Sequence, residues 1–133
     1  MLRRLQDAQN RHDAGALAAL FAPDYQSDQP VHPSRSFVGN DQVLTNWTSV
    51  FAGVPDFQST LLASAGDDQT EWGEWEWRGT HADGSPFRMR GVTLMIIEDG
   101  LFAAGRLYMD PVESDGADID VAVRDLYRPP TTT

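Results

Sequence analysis

The stretch GVTLMIIEDGLFAAGRLYMD, residues 91–110, decides the fold of this 133-residue chain. It holds two runs of alternating apolar and polar side chains joined by Asp99-Gly100, and such a pair between alternating runs is the strongest short-range hairpin signal. We therefore predict antiparallel strands over 87–98 and 101–110. In the second strand the alternation gives one apolar face, formed by Leu101, Ala103, Leu107 and Met109.

Two more strands are predicted immediately upstream, over 57–64 and 71–81, with turn residues between successive strands. Along 71–81 the side chains alternate between two faces: Trp75, Trp77, Gly79 and His81 on one, and Glu74, Glu76, Arg78 and Thr80 on the other. Antiparallel neighbours share faces, so the sheet has one aromatic, methionine-rich face and one charged face. The apolar face is the one that helices must cover.

Helical periodicity precedes these strands. Apolar side chains recur at three- and four-residue steps over 1–12, and Asp13 is placed to cap a second helix over 14–21. Residues 25–28 are interpreted as a short strand, and a third helix runs from 40 to Gly53. Helices followed by an antiparallel meander indicate an α+β fold, in one domain over residues 1–113.

The C-terminal segment, 114–133, has a separate pattern. Its apolar side chains have the spacing of an amphipathic helix over 117–127: Ile119, Ala122, Val123, Leu126 and Tyr127. This helix docks on its own domain, forms a lid or contacts another subunit, and the sequence leaves these three possibilities open. We expect it to contribute to stability, and we expect the last threonines to form a flexible tail.

The composition excludes several classes of function. Without cysteine there is no disulfide framework or thiolate metal site, and without lysine there is no Schiff-base catalysis. The formal net charge of −10 argues against nucleic acid and anionic membranes as partners. No apolar run has membrane-spanning length, and the polar N-terminus is unlike a signal peptide, so we expect a cytoplasmic protein.

Five short motifs occur in a characteristic order: LFAPDY at 20–25, FVGND at 37–41, WEWRGTH at 75–81, IEDGL at 97–101 and RLYMD at 106–110. With helices ahead of an antiparallel meander, they resemble the nuclear transport factor 2-like superfamily, and specifically its SnoaL-like, polyketide cyclase-like branch. The resemblance implies helices packed on a curved, cone-shaped antiparallel sheet with a hydrophobic pocket inside.

The resemblance also bears on the reaction. Members include polyketide cyclases, ketosteroid isomerase, limonene epoxide hydrolase and dehydratases, so the fold alone selects no reaction. The epoxide hydrolase pattern has a catalytic carboxylate three residues before a closing Asp, and Leu107 occupies that position here. This argues against the hydrolase type of water activation. SnoaL-like cyclases are thought to use an acidic residue as acid and base, which implies no cofactor and no metal.

Three residues are candidates for proton transfer. Asp110 closes the last strand, where the resemblance places an acid, although the alternation puts it on the charged face beside Arg106 or Arg90. His81 lies on the apolar face at the sheet edge, where a neutral imidazole can act as a base; the alternative is a turn histidine bonded to local backbone. Asp28 would have a raised pKa if buried; the alternative is a solvated carboxylate.

Aromatic and methionine side chains are candidates for binding a substrate. Those on or near the apolar face are Tyr25, Trp47, Trp75, Trp77 and Met95, accompanied by Met89 and Met109. Together they can line a flat cavity suited to an apolar ring compound, and the alternative for each of them is ordinary core packing.

Three functions are therefore open. The first is a cofactor-free acid/base enzyme acting on an apolar cyclic or polyketide-like small molecule, and the second is a ligand- or partner-binding module of the same fold without turnover. A structural dimerisation domain is the third. We also expect a homodimer formed through the charged face, on which arginines interleave with glutamates: Arg78, Arg88, Arg90 and Arg106 with Glu74 and Glu76.

Overall fold

Three helices cover one face of a six-stranded sheet in the computed structural model, which describes residues 1–127. The helices are α1 Leu2–Asn10, α2 Ala14–Ala18, α3 Asn40–Gly53 and, beyond the sheet, α4 Ile119–Leu126. The strands are β1 Phe21–Asp28, β2 Phe37–Val38, β3 Gln58–Gly66, β4 Thr70–Thr80, β5 Pro86–Glu98 and β6 Leu101–Pro111. Their order is β2-β1-β6-β5-β4-β3. The α+β class predicted from the sequence is confirmed.

The four-stranded meander β3–β6 forms as predicted, with bounds that differ by at most two residues. Within the meander, each pair of neighbouring strands is antiparallel. At the β5–β6 turn, Asp99 and Gly100 have φ values of 52° and 75°. Positive φ at both central residues favours the turn type that matches strand twist, which explains why this pair fixes the hairpin.

The N-terminal edge of the sheet differs from the prediction. The helix predicted over 14–21 ends at Ala18, and Phe21 starts β1, which is longer than the predicted strand over 25–28. β1 pairs with β6 in parallel and makes the sheet mixed. The Phe21 ring packs 5.0 Å from the ring of Phe102, so a tertiary contact overrides the local helical pattern.

A register shift in β6 corrects the predicted faces. Ile96 pairs with Ala104 but Ile97 pairs with Phe102, so one extra residue is inserted in β6. Phe102 is consequently enclosed in the core. The assignment of Leu101 and Ala103 to the face of Leu107 and Met109 is therefore wrong, because strict alternation does not continue through the irregularity.

The core lies between the helices and the sheet face that carries Trp75 and Trp77, which we call the inner face. Helix α1 is fixed to β3 by side-chain amides: the Leu61 N–H donates to Gln6 Oε1 at 2.6 Å, and Asn10 exchanges two hydrogen bonds with the Ser59 backbone. The most fully enclosed side chains are Leu2, Gln9, Leu17, Phe57, Trp75 and Phe102. The opposite, outer face carries the Arg and Glu side chains, as predicted.

The predicted C-terminal helix is present as α4, and the Asp118 carboxylate caps it by accepting from the Val121 N–H at 3.0 Å. It is not docked on its own domain, since every residue from 111 to 127 is exposed. The predicted flexible tail lies beyond residue 127 and outside the described residues. Across residues 1–127, none of the helices combines the length and the apolar character needed to cross a bilayer.

Candidate functional site

A cleft of about 610 Å³ opens between the β4–β5 turn and the segment that follows β6. Its apolar walls are Pro86, Phe87, Met89, Pro111 and Val112. Its polar groups are His81, Arg88, Glu113 and Ser114. Ligand sites of proteins are commonly clefts of about 300–1,000 Å³ with mostly apolar walls and a few polar groups. The cleft therefore has the size and lining of a site for a small molecule.

The sequence Gly79-Thr80-His81 holds the imidazole at this cleft. A Cβ on Gly79 would overlap Val54 and Asp56, so glycine lets the loop after α3 approach the end of β4. Asp56 then accepts from the Thr80 N–H at 2.7 Å and from the Thr80 hydroxyl at 2.9 Å. These bonds hold the pKa of the Asp56 carboxyl below its usual value. These two hydrogen bonds, here called the latch, fix the strand end from which His81 projects.

His81 also begins the β4–β5 turn. Its N–H donates to the Ser85 carbonyl at 2.9 Å, and its own carbonyl accepts from the Gly84 N–H at 2.9 Å. The imidazole stands edge-on to the Phe87 ring at 5.4 Å, and it is exposed to solvent. Hydrogen bonds from Ser85, and to a smaller extent the nearby His81, keep the pKa of Asp83 low. None of these backbone bonds uses the ring, and no residue within 1–127 forms a hydrogen bond with it, so the imidazole is available to a ligand.

The floor of the cleft continues into an aromatic cluster. The Phe87 ring lies 6.0 Å from Phe57, and Phe57 lies 5.5 Å from Trp47 and 6.1 Å from Trp77. Trp47 and Trp77 are themselves in T-shaped contact at 5.3 Å. Trp77 is 9% exposed, and its indole N–H has no hydrogen-bond partner among the described residues. Trp77 pairs across the strands with Met89 of the cleft wall.

The other predicted substrate-binding residues are enclosed. Trp75 is fully buried and its indole N–H donates to the Thr93 hydroxyl at 2.9 Å, while Met95 and Tyr25 are each 2% exposed. Burial raises the pKa of Tyr25 to about 12, so it is a neutral hydrogen-bonding group over the physiological range. None of the five predicted binding residues lines the cleft directly, and Trp47 and Trp77 lie nearest to it.

The two candidate aspartates lie elsewhere. Asp110 is opposite Arg90 on the outer face, and its Oδ1 is 2.7 Å from Nε2 of His32. Asp28 is exposed and opposite Arg106 across the β1–β6 pair. The structure thus brings only His81, of the three predicted proton-transfer residues, to the cleft. The contact between His32 and Asp110 was missed, because the loop that supplies His32 has no regular pattern.

The outer face carries a group of ion pairs centred on Glu76. Its carboxylate lies 3.0 Å from Arg88, 3.1 Å from Arg78 and 3.6 Å from Arg90. A hydrogen bond from Arg88 is the main reason that the pKa of Glu76 is lowered. Within residues 1–127 no three His, Asp or Glu side chains are grouped so that they can hold a metal ion.

The description "SnoaL-like domain" belongs to a family model that matches residues 2–105 of this sequence. The chain belongs to the SnoaL-like domain family. The match covers α1 through the first five residues of β6 and ends before the segment Pro111–Ser114 that lines the cleft. Among curated proteins, none matches the chain.

Solved structures with this fold include several from bacteria. Wild-type IdmH of Streptomyces antibioticus, a proposed polyketide cyclase, has a TM-score of 0.71 and 22% identity over 82% of this chain and 88% of its own. A Catenulispora acidiphila protein with a ketosteroid isomerase-like fold, solved with trimethylamine, has a TM-score of 0.70 and 17% identity over 80% and 82%. A proposed SnoaL-like polyketide cyclase of Shewanella denitrificans has a TM-score of 0.66 and 15% identity over 82% and 87%. These likenesses establish the fold.

Proposed function

We propose that this SnoaL-like domain binds a small apolar ring compound in the His81 cleft and converts it by general acid/base catalysis without a cofactor. The observation that carries the proposal is the cleft itself, in which an unblocked imidazole faces walls of Phe87 and Met89. The likeness to proposed polyketide cyclases and to a ketosteroid isomerase-like fold supports the same class of substrate.

The chemistry follows from the placement of the groups. A ring stacked on Phe87 and Met89 presents its edge to His81, and imidazole is the side chain that most often serves as general acid or base. His81 takes a proton from a carbon made acidic by a neighbouring carbonyl and returns it to the rearranged or cyclised product. Arg88 also lines the cleft, but its guanidinium is bound to Glu76 on the outer face, so His81 is the group to which the proposal assigns proton transfer. The reaction class is therefore isomerisation, cyclisation or dehydration.

The test combines binding and turnover on a panel of aromatic and alicyclic ketones. A ligand of the cleft raises the melting temperature by mass action and shifts the NMR resonances of Val112 and Met89. Val112→Trp fills the cleft from an exposed position, so it should abolish binding without unfolding the protein. Absence of binding by every compound, or binding that Val112→Trp leaves intact, contradicts the site.

Catalysis is tested with a matched pair of histidine variants. His81→Ala should lose turnover by about 100-fold or more while retaining ligand binding, because general base catalysis commonly contributes that much. His32→Ala removes an imidazole from the outer side of β6 and should leave turnover unchanged. Equal turnover in both variants contradicts the role of His81.

A binding module without turnover is the second candidate function. It is favoured by one observation: Asp110 and Asp28 lie away from the cleft, so neither predicted catalytic aspartate accompanies His81 there. Saturable binding with no conversion of any bound compound by the parent protein would establish this alternative. The enzyme would be established if the parent protein converts a bound compound, if Asp110→Asn and Asp28→Asn convert it equally well, and if His81→Ala does not convert it.

A further inference from the structure

The segment from residue 112 to 127, here called the C-terminal arm, has an unused apolar surface. Every one of its residues is exposed, and Ile119, Leu126 and Tyr127 are 73%, 76% and 72% exposed. Helix α4 within it spans only eight residues. Isolated helices shorter than about 12–15 residues are marginal in water, so α4 needs a surface on which to pack.

The outer face of the sheet offers such a surface beside the ion pair of Arg90 with Glu74. Its exposed large apolar side chains are Leu62, Trp72 and Tyr108, which are 43%, 47% and 40% exposed. Beside Trp72, the small residues Ala63 and Ala65 leave a shallow groove of about 210 Å³ that Val92 also lines. We call these residues, together with the adjacent Arg106, the outer patch: Leu62, Ala63, Ala65, Trp72, Val92, Arg106 and Tyr108.

The charges of the two surfaces are complementary. The arm has five acidic residues and one basic residue, Arg124: the acids are Glu113, Asp115, Asp118, Asp120 and Asp125. Four of the ten arginines in the chain lie on the outer face. Three of them are paired with Glu74 or Glu76. Arg106 lies two strands from Trp72 in the same cross-strand row, and it makes no ion pair with any other described residue, so it is available to a carboxylate of the arm.

We infer that the arm of one copy of this chain docks on the outer patch of a second copy, and that the two copies exchange arms. The number of residues supports exchange, because a stable interface commonly involves roughly 20–30 residues of each partner. The arm supplies sixteen residues, 112–127, and the outer patch supplies seven more. In a dimer with two-fold symmetry, the arm of each copy covers the outer patch of the other, so neither surface stays exposed. The first residues of the arm, Val112 to Ser114, also line the His81 cleft, but the exchange of arms does not require any reaction there.

The first experiment measures mass by light scattering in the micromolar range. The full chain should give twice its 14.7 kDa, and truncation after Pro111 should give the mass of a single chain. Trp72→Glu should have the same effect as truncation, whereas Val31→Glu, at an equally apolar residue 63% exposed outside the patch, should keep the pair. Arg106→Glu should weaken the pair, and adding Asp120→Arg should restore part of the loss.

The second experiment distinguishes exchange from folding back. Because the chain has no cysteine, Val123→Cys and Ala65→Cys can be combined in one chain and oxidised without side reactions. Exchange gives a covalent pair on a denaturing gel, and the combination of Val123→Cys with Val31→Cys should not. A cross-link within a single chain overturns the proposal, because the arm then covers its own sheet. A single-chain mass for the unmodified protein, or a pair that survives truncation, also overturns it.

Discussion

The inner face of the sheet is sealed at one end and open at the other. At the sealed end Trp75 and Phe102 are fully enclosed, and Thr93 satisfies the Trp75 indole N–H. At the open end Phe87 and Met89 are half-buried, and the indole N–H of Trp77 lacks a partner within residues 1–127. Both ends use aromatic side chains, so the residue type alone does not distinguish a core from a binding site.

The difference comes from what covers each end. Helix α1 lies on β3 at the sealed end through Leu2 and Leu5. Helix α3 ends at Gly53, and the loop 54–56 that follows it contacts the end of β4, while the cleft lies at the start of β5. Stability is therefore concentrated at one end of the face, and the capacity to bind a ligand at the other.

Truncating one aromatic residue at each end tests this division most directly. Trp75→Ala should lower the free energy of unfolding by about 3–5 kcal/mol, since it removes a fully packed ring and leaves Thr93 unpaired. Phe87→Ala should lower it by only about 1–2 kcal/mol, because that ring is partly exposed, yet it should abolish ligand binding. Urea denaturation measures both losses, and similar losses would show that the two ends do not differ.

Alkaline pH should weaken the sealed end through Tyr25. Its folded-state pKa of about 12 exceeds the unfolded value of about 10, so the unfolded state releases its proton first as the pH rises. The stability is present below about pH 10 and declines by about 2–3 kcal/mol as the pH approaches 12. Urea titrations at these pH values should show the decline, and Tyr25→Phe should remove that part of it.

Acid should loosen the latch at the open end. The pKa of Asp56 is lowered in the folded state, so its stabilising effect is present above its unfolded value of about 3.9 and is lost as the pH falls further. Asp56→Ala should weaken ligand binding at neutral pH, because it frees Thr80 and the strand end that carries His81. Asp24→Ala, which changes an exposed carboxylate outside the latch, is the control and should bind normally.

The smallest effect is expected on the outer face. Arg78 is largely exposed and shares Glu76 with Arg88, so Arg78→Ala should leave the melting temperature unchanged. This substitution should change neither the stability of the sealed end nor ligand binding at the open end. A clear loss of stability, suppressed by salt, would mean that the ion pairs support the sheet itself.

The meander and its hairpin were predictable because their signals are local: alternation along each strand and the Asp99-Gly100 turn. The irregularity in β6 was not, because it depends on Phe102 packing against Phe21 from a distant part of the chain. His81 was predicted because the alternation of side chains along its strand places it on the apolar face, at the strand end. Glu113 and Val112 were missed, because they follow the last strand in a segment without periodicity. Gln9 was also missed, since nothing in a helical sequence marks a fully buried amide.

Because β1 pairs with β6, it is synthesised long before it can take its place in the sheet. Phe21–Asp28 leaves the ribosome early, but its neighbour in the sheet, residues 102–106, is among the last parts of the domain to be made. Until then the apolar side of β1, with Phe21 and Tyr25, has no strand beside it except the two-residue β2. Contacts so distant along the chain slow folding and leave strand edges exposed to aggregation. The nascent chain is therefore most vulnerable just before its last hairpin emerges.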